Sequence, residues 1–598
     1  MSLSEAGLSA PLSSTAQSEM VCRHRARVIR QLLEAALFEG LLPYHFDGNW
    51  FRFNGKTLSY CARGNLSGFG RVRLIQEQIW QCHASELHPV DLAELVAALP
   101  GQAKARQRLL QELQQTIAFC RWNQDNLVSA EDRRGLDYVA LESAILEGHP
   151  YHPCFKARTG FSFNDHAQYG PEAANRFQLC WLAVRRSLLA MRLDCHDEEA
   201  FWQRELGSEC WQQLCDAMDT QGIGSEEYTW LPIHPWQLAR LHTSLAPAIA
   251  ERHVLLLGKA GDEYQASISL RTLLNVSHPE KANIKVPLNV VNSSSLRTIE
   301  PHSVCTAPLL SQWLHTVIAQ DPWFAEHSAL LIQREYAAMV LQDDNRVNPD
   351  ANTDHPWLKM LAPSLSVIFR DSIATVADGF TATPFVALSL TEADGDAFIA
   401  PWLHQYGIET WLRRLLEVVV WPVWHLLVRH GIALETHGQN MTLLHHNGWP
   451  QKLVLRDFHE SLEFVSEFLA APELQPDFAT LHPDYEHAEA DRFYWMSSVE
   501  ALRELLVDAL FVYNLSELAQ LLELQFDYPE TQFWQQVDAA LQGYAATAHN
   551  WSERLARIDV SRPKIRTESL LRKKLSGQSD REFHHTIPNP VQPIRGGV

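Results

Sequence analysis

EYQASISLRTLLNVSHPEKANIKVPLNVVNSSSLR, residues Glu263–Arg297, is the stretch that sets the fold class. It carries two candidate strands, Tyr264–Leu274 and Ile284–Val291, among segments of helical spacing. On its N-terminal side, Val21–Phe38 predicts a helix with Val28, Ile29, Leu32, Leu33 and Leu37 on one face. Asn49–Arg73 predicts short strands, WFRF and TLSYCAR, parted by the hairpin dipeptide Asn54-Gly55. Ala103–Ala118 and Ala173–Met191 read as helices, and His253–Gly258 as a strand. In GHPYHPCFKARTGF (Gly148–Phe161) and LPIHPWQ (Leu231–Gln237), proline biases the preceding residue towards an extended backbone. Both predict shaped extended segments. On the C-terminal side, Glu409–His430 predicts a long helix kinked or broken at Pro422. Asn447-Gly448 marks a second hairpin, between Met441–Leu444 and Lys452–Leu455. Val499–Leu524 and Thr531–Leu555 predict helices, and the polar, proline-bearing chain from Ser576 predicts a frayed tail. Strands and helices without regular βαβ alternation predict an α+β fold.

Composition narrows the functional classes. The 598 residues suggest roughly four domain-sized units at about 150 residues each. Lys plus Arg is 50 and Asp plus Glu is 71, a net charge of −21. Such acidity argues against broad binding to nucleic acid or anionic membranes, but leaves room for a local basic pocket. The 10 cysteines all lie between Cys22 and Cys305 without a CxxC pair, so free thiols are expected. MSLSEAGLSAPLSS has no basic patch before an apolar run, so no signal peptide is expected. Val418–Val428, the most apolar stretch, is interrupted by Pro422 and His425 and falls short of the roughly 20 residues of a membrane helix. The expectation is a soluble cytoplasmic protein with neither nucleic-acid nor membrane partners.

Three constellations can carry chemistry. In a strand, Ser267, Ser269 and Arg271 share one face, and Lys285, Asn289 and Ser293 are in phase on the next. That pattern is either a solvated strand face or a cradle for an anion, with Arg as a planar fork and Lys as a point charge. Glu435-Thr436-His437-Gly438-Gln439-Asn440 packs a carboxylate, an imidazole and two amides into six residues. Arg456-Asp457-Phe458 follows the second hairpin, so Asp457, Asn440 and Glu435 are candidate Mg²⁺ ligands beside nucleotide phosphates. His149 and His152 lack zinc spacing, and their loop orients Lys156 and Arg158 towards a phosphate. P-loop, Rossmann, GxSxG and HExxH signatures are absent.

GHPYHPCFKARTGF, LPIHPWQ, SLRT with IKVPLNVVNSSSLR, ETHGQN and VLRDF occur in this order. Together they resemble the NRPS-independent siderophore synthetases of the IucA/IucC type, over about Leu141–Asp457. The resemblance implies a cupped-hand architecture with a kinase-like palm. The implied divisions are an N-terminal thumb at 1–145, fingers at 146–395, a palm at 396–575 and a flexible tail at 576–598. It implies ATP and Mg²⁺ as cofactors. A polycarboxylate, citrate or a citryl or monoamide derivative, is adenylated and then condensed with an amine, hydroxylamine or alcohol. The resemblance also implies a homodimer. Matched residue by residue, Ser269, Arg271, Thr272, Lys285, His437, Asn440 and Asp457 fall in the implied ATP site, with Lys156 added from its loop. Arg297, Ser293 and His437 fall in the carboxylate site, and His437, Arg297 and Lys285 carry the catalysis. Glu568 stands where members carry a tail lysine, with Lys564, Lys573 and Lys574 as substitutes. A degenerate, non-catalytic binding member of the same fold is the alternative.

Overall fold

The computed structural model describes residues 14–55, 58–83, 86–293, 295–342, 355–547, 549–578 and 581–591. Helix and sheet are mixed throughout, as expected for α+β.

The N-terminal helix Ser14–Phe38 buries Val28, Ile29, Leu32, Leu33 and Leu37. It packs on a five-stranded antiparallel meander running from Tyr44–Phe46 to Glu86–Pro89. The Asn54-Gly55 turn joins Trp50–Asn54 to Ser59–Leu66, with Gly55 N–H donating to the Leu58 carbonyl at 2.7 Å.

An eight-stranded antiparallel sheet forms the middle of the molecule. Its spatial order is Leu189–Arg192, Glu335–Leu341, Ser366–Arg370, Asn283–Lys285, Thr272–Asn275, Val254–Ala266, Phe177–Arg185 and Tyr228–Ile233. Four expectations change here. Ala173–Met191 is not a helix but supplies the strands Phe177–Arg185 and Leu189–Arg192. Leu179–Val184 is buried on both faces, and a continuous apolar run does not distinguish a central strand from a core helix. Residues 267–271 are a turn, closed by Ser267 N–H to the Thr272 carbonyl at 2.9 Å, with Leu270 left-handed at φ +68°. Ser269 and Arg271 therefore present from a turn and not from a strand face. Pro287 also splits Ile284–Val291: Asn283–Lys285 stays in the sheet, whereas Leu288–Asn292 leaves it to pair with Ser295–Arg297. LPIHPWQ divides too, into strand Tyr228–Ile233 and helix Pro235–Ala250 capped by His234.

The C-terminal third rests on a four-stranded sheet, ordered Leu330–Ile332, Trp449–Leu455, Met441–His446 and Thr381–Pro384. Asn447 and Gly448 sit at φ +49° and +81°, the backbone that a tight hairpin turn requires. Helix Ile408–His425 runs through Pro422 into a π-helical turn, Leu426–His430. Proline lacks the N–H of the regular ladder, and the wider turn follows it directly. Val499–Phe526 is long and apolar enough to cross a bilayer, but is largely buried inside the protein. The tail is not frayed throughout: His584–Pro588 pairs antiparallel with Lys564–Glu568, and Ile587 and Val591 are buried.

Candidate active site

A cavity of about 670 Å³ is lined by residues from all three regions of sequence, among them Ser269, Ser293, Arg297, His437 and Lys156. Arg23, Arg27, Arg30 and Arg73 also line it. With Lys156, Arg158 and Arg297 against Glu147, Glu172, Glu392 and Glu517, the lining is net cationic in a chain of net charge −21.

The turn after Val254–Ala266 places Ser269. Its Oγ accepts from Thr272 N–H at 3.0 Å and lies 3.1 Å from Ser267 Oγ. Thr272 faces Lys285 across the antiparallel pair, and its buried hydroxyl has no partner among the described residues. Lys285 Nζ donates to Asp457 Oδ1 at 2.8 Å, and Arg370 Nη1 donates to the same oxygen at 2.9 Å. Arg271 donates to the Thr298 carbonyl at 2.6 Å and to Glu460 Oε2 at 3.3 Å. Burial alone would raise the Asp457 carboxyl, yet Lys285 and Arg370 hold it well below the usual carboxylate range. Burial also opposes ionisation of Glu460, but Arg271 keeps that acid at about 2.

Arg297 closes the strand Ser295–Arg297. Its described hydrogen bond is from Nη2 to the Asn292 carbonyl, 3.0 Å, and its Nε is buried without a partner among the described residues. Burial, with Arg271 nearby, pulls its pKa down to about 10. Ser293 sits beside it at φ +58°, and its carbonyl accepts from Lys574 Nζ at 2.7 Å. Lys574 also pairs with Glu112, whereas Glu568 pairs with Lys573 at 3.0 Å.

His437 caps the short turn Gly438–Asn440. Its Nδ1 accepts from Gln439 N–H at 3.1 Å, which leaves the ring proton on Nε2. Burial, with Arg456 and Arg297 adding to it, lowers its pKa to about 4. At neutral pH it is an uncharged donor. Asn440 Nδ2 donates to the Glu435 carbonyl at 3.2 Å, leaving its amide oxygen as the open acceptor. Burial and the neighbouring Glu568, Glu460 and Asp457 push Glu435 up to about 7. Carboxylate and amide oxygens such as these are the donor types that Mg²⁺ takes, alongside phosphate oxygens.

Lys156, like Lys285, is ion-paired in the structure. Lys156 does not present a free charge: its Nζ pairs with Glu172, which also takes Arg158 at 2.7 Å. Burial to 1% exposure favours a paired ammonium over an open one. The proline-rich loop still shapes the cavity, because His149 Nδ1 accepts from both Tyr151 N–H and His152 N–H at 3.1 Å. Sequence reasoning missed Glu460, three residues beyond Asp457, where a second acid after RDF was the available signal. It also missed Arg370, which carries no local signal, since only strand register brings it to Asp457.

Residues 137–391 match the profile of the IucA / IucC family, and residues 409–583 that of the ferric iron reductase FhuF-like transporter. A citryl-spermidine/3,4-dihydroxybenzoyl-citryl-spermidine:spermidine ligase of Bacillus anthracis is 32% identical over 97% of this chain and 95% of its own length. The chain belongs to the IucA/IucC family. An aerobactin synthase of Escherichia coli is 30% identical over 73% of each chain. The crystal structure of the petrobactin biosynthesis protein AsbB from Bacillus anthracis str. Sterne superposes with a TM-score of 0.87 at 30% identity, covering 97% of this chain and 96% of that one. This IucA/IucC member is a ligase of siderophore biosynthesis.

Proposed function

We propose that the chain joins a citryl carboxylate to an amine through an acyl-adenylate formed from ATP. Hydroxylamine and alcohol nucleophiles belong to the same reading. The observation that carries it is Arg297: a guanidinium deep in the cavity, bonded to one carbonyl, with donor capacity left for an anion. The relative that acts on citryl-spermidine and spermidine supports the same substrate class here.

In this reading Arg297, Ser293 and His437 hold the carboxylate. Ser269, Arg271, Thr272 and Lys285 hold the nucleotide phosphates. A carboxylate oxygen attacks the α-phosphorus, and the bond to pyrophosphate breaks. The amine nitrogen then attacks the acyl carbon, its proton departs, and the acyl–oxygen bond to AMP breaks. Two anions must meet, so fixed cations and the neutral Nε2–H of His437 offset their repulsion. Holding both reactants in one cavity supplies much of the remaining acceleration. Asp457, Asn440 and Glu435 would hold Mg²⁺, which neutralises charge on the phosphates. The thumb (1–145), fingers (146–395) and palm (396–575) of a cupped hand, with a kinase-like palm, describe the division of labour we propose, and a cytoplasmic location fits the reactants. The segment at 576–598 joins the palm through the His584–Pro588 strand.

The test is a matrix of carboxylates against amines with ATP and Mg²⁺, read by product mass spectrometry. A citryl amide is expected. Turnover restored to chelator-treated protein by zinc or iron, but not by Mg²⁺, would overturn the metal assignment.

A further inference from the structure

We infer that Arg370 and Glu335 are positioning residues that fix the Asp457 carboxylate for the nucleotide, Glu335 acting through His459; this rests on the adenylation reading above. Asp457 has φ +65°, a left-handed backbone that a non-glycine residue keeps only where its surroundings over-determine it. Those surroundings are specific. Arg370, at the end of strand Ser366–Arg370, is 1% exposed, and its Nε and Nη2 have no partner among the described residues. Its described side-chain hydrogen bond goes to Asp457 Oδ1. A buried guanidinium with a single partner is compensated by that partner, and holds it in turn. With Lys285 on the same oxygen, Oδ2 is the oxygen left to face a ligand.

The second arm comes from the adjacent strand. Glu335 is directly opposite Arg370 in register, and its Oε1 lies 2.6 Å from His459 Nδ1. Both side chains are fully buried. The His459 carbonyl accepts from Ser303 Oγ and Tyr494 OH, each at 2.8 Å. The turn carrying Asp457 is therefore pinned from the sheet on one side, and from a helix and a tyrosine on the other. Glu335, Asp457 and His459 place ligand atoms within 4.8 Å of one another, the spacing of a metal site. Lys285 and Arg370 both take Asp457 Oδ1, and His459 takes Glu335, so the array works as a clamp.

Titration calorimetry with the non-reactive analogue α,β-methylene-ATP and, separately, with citrate tests this on full-length protein. Arg370→Met should weaken nucleotide binding by about 30-fold or more. Arg370→Lys should recover most of that loss, and Glu335→Gln should weaken nucleotide binding in the same direction. Citrate affinity should stay within about threefold in each. A folded Arg370→Met protein that binds the analogue within threefold of wild type, or loses citrate affinity equally, would overturn the inference. Should Arg370→Met not fold, Glu335→Gln decides it: unchanged nucleotide affinity in that variant is contradictory. Pyrophosphate release by the wild type is read separately, so failure of adenylation and failure of the clamp give different results.

Discussion

In the proposed site His437 is a donor because of one backbone contact. Gln439 N–H occupies Nδ1, and burial keeps the ring uncharged down to about pH 4. Nitrogen NMR of the histidine ring should show the Nε2–H form across pH 6–8; an inflection near 6.5 would contradict it. In the proposed mechanism the two arginines divide the reactants. Arg297→Ala should mainly weaken carboxylate binding and Arg271→Ala mainly ATP binding, each by about 2–5 kcal/mol for a charge lost from a buried pair. Calorimetry of both mutants with both ligands checks this, and Arg297→Ala that abolished ATP binding alone would reverse the assignment. Short sequence motifs carry Ser269, Arg297 and His437, which line the cavity, and Arg271, Lys285 and Asp457, which are proposed beside it. Their partners were not legible in the sequence. Arg370 and Glu335 reach Asp457 only through the register of strands distant in sequence, and Lys156 looked open until Glu172 folded against it.

At the scale of elements, hairpins and amphipathic helices were legible: Asn447-Gly448 and the helix ending at Phe38 fall where turn chemistry and spacing put them, and the strands either side of Asn54-Gly55 pair as expected, although Asn54 is the last strand residue. Phe177–Arg185 was not, because burial on both faces erases alternation. The tail strand was missed for a different reason: its partner, Lys564–Glu568, supplies the order that its own composition lacks. Glu39 ties three elements together. It accepts from Tyr151 OH at 2.7 Å and from Leu571 and Arg572 N–H at 2.8 Å, joining the N-terminal helix, the proline-rich loop and the tail helix Leu570–Ser576. Burial raises its pKa to about 7, against the pull of those bonds. A raised carboxyl favours its protonated form in the fold, so its contribution is full below the ordinary carboxylate pKa and is lost as pH rises through 7. Calorimetric melting should therefore show wild type losing up to about 3 kcal/mol relative to Glu39→Gln between pH 4.5 and 7. Parallel curves for the two proteins would contradict this.

The whole molecule encloses a cationic cavity in an acidic chain, with its C-terminal strand sewn into the structure. Removing residues 582–598 should lower the melting temperature, since Ile587 and Val591 are buried and each is worth about 1.5–3 kcal/mol. A truncated protein that melts with the full chain would restore the frayed tail expected from composition. Cavity, family and charge converge on adenylation, and the course of a carboxylate oxygen tests it most directly. Citrate labelled with ¹⁸O at its carboxylates is incubated with the protein, ATP, Mg²⁺ and a productive amine. Attack on the α-phosphorus followed by amine capture leaves one labelled oxygen on AMP, and mass spectrometry should find it there, with unlabelled pyrophosphate beside it. Label in inorganic phosphate, with ADP as the nucleotide product, would mean an acyl-phosphate and contradict the account.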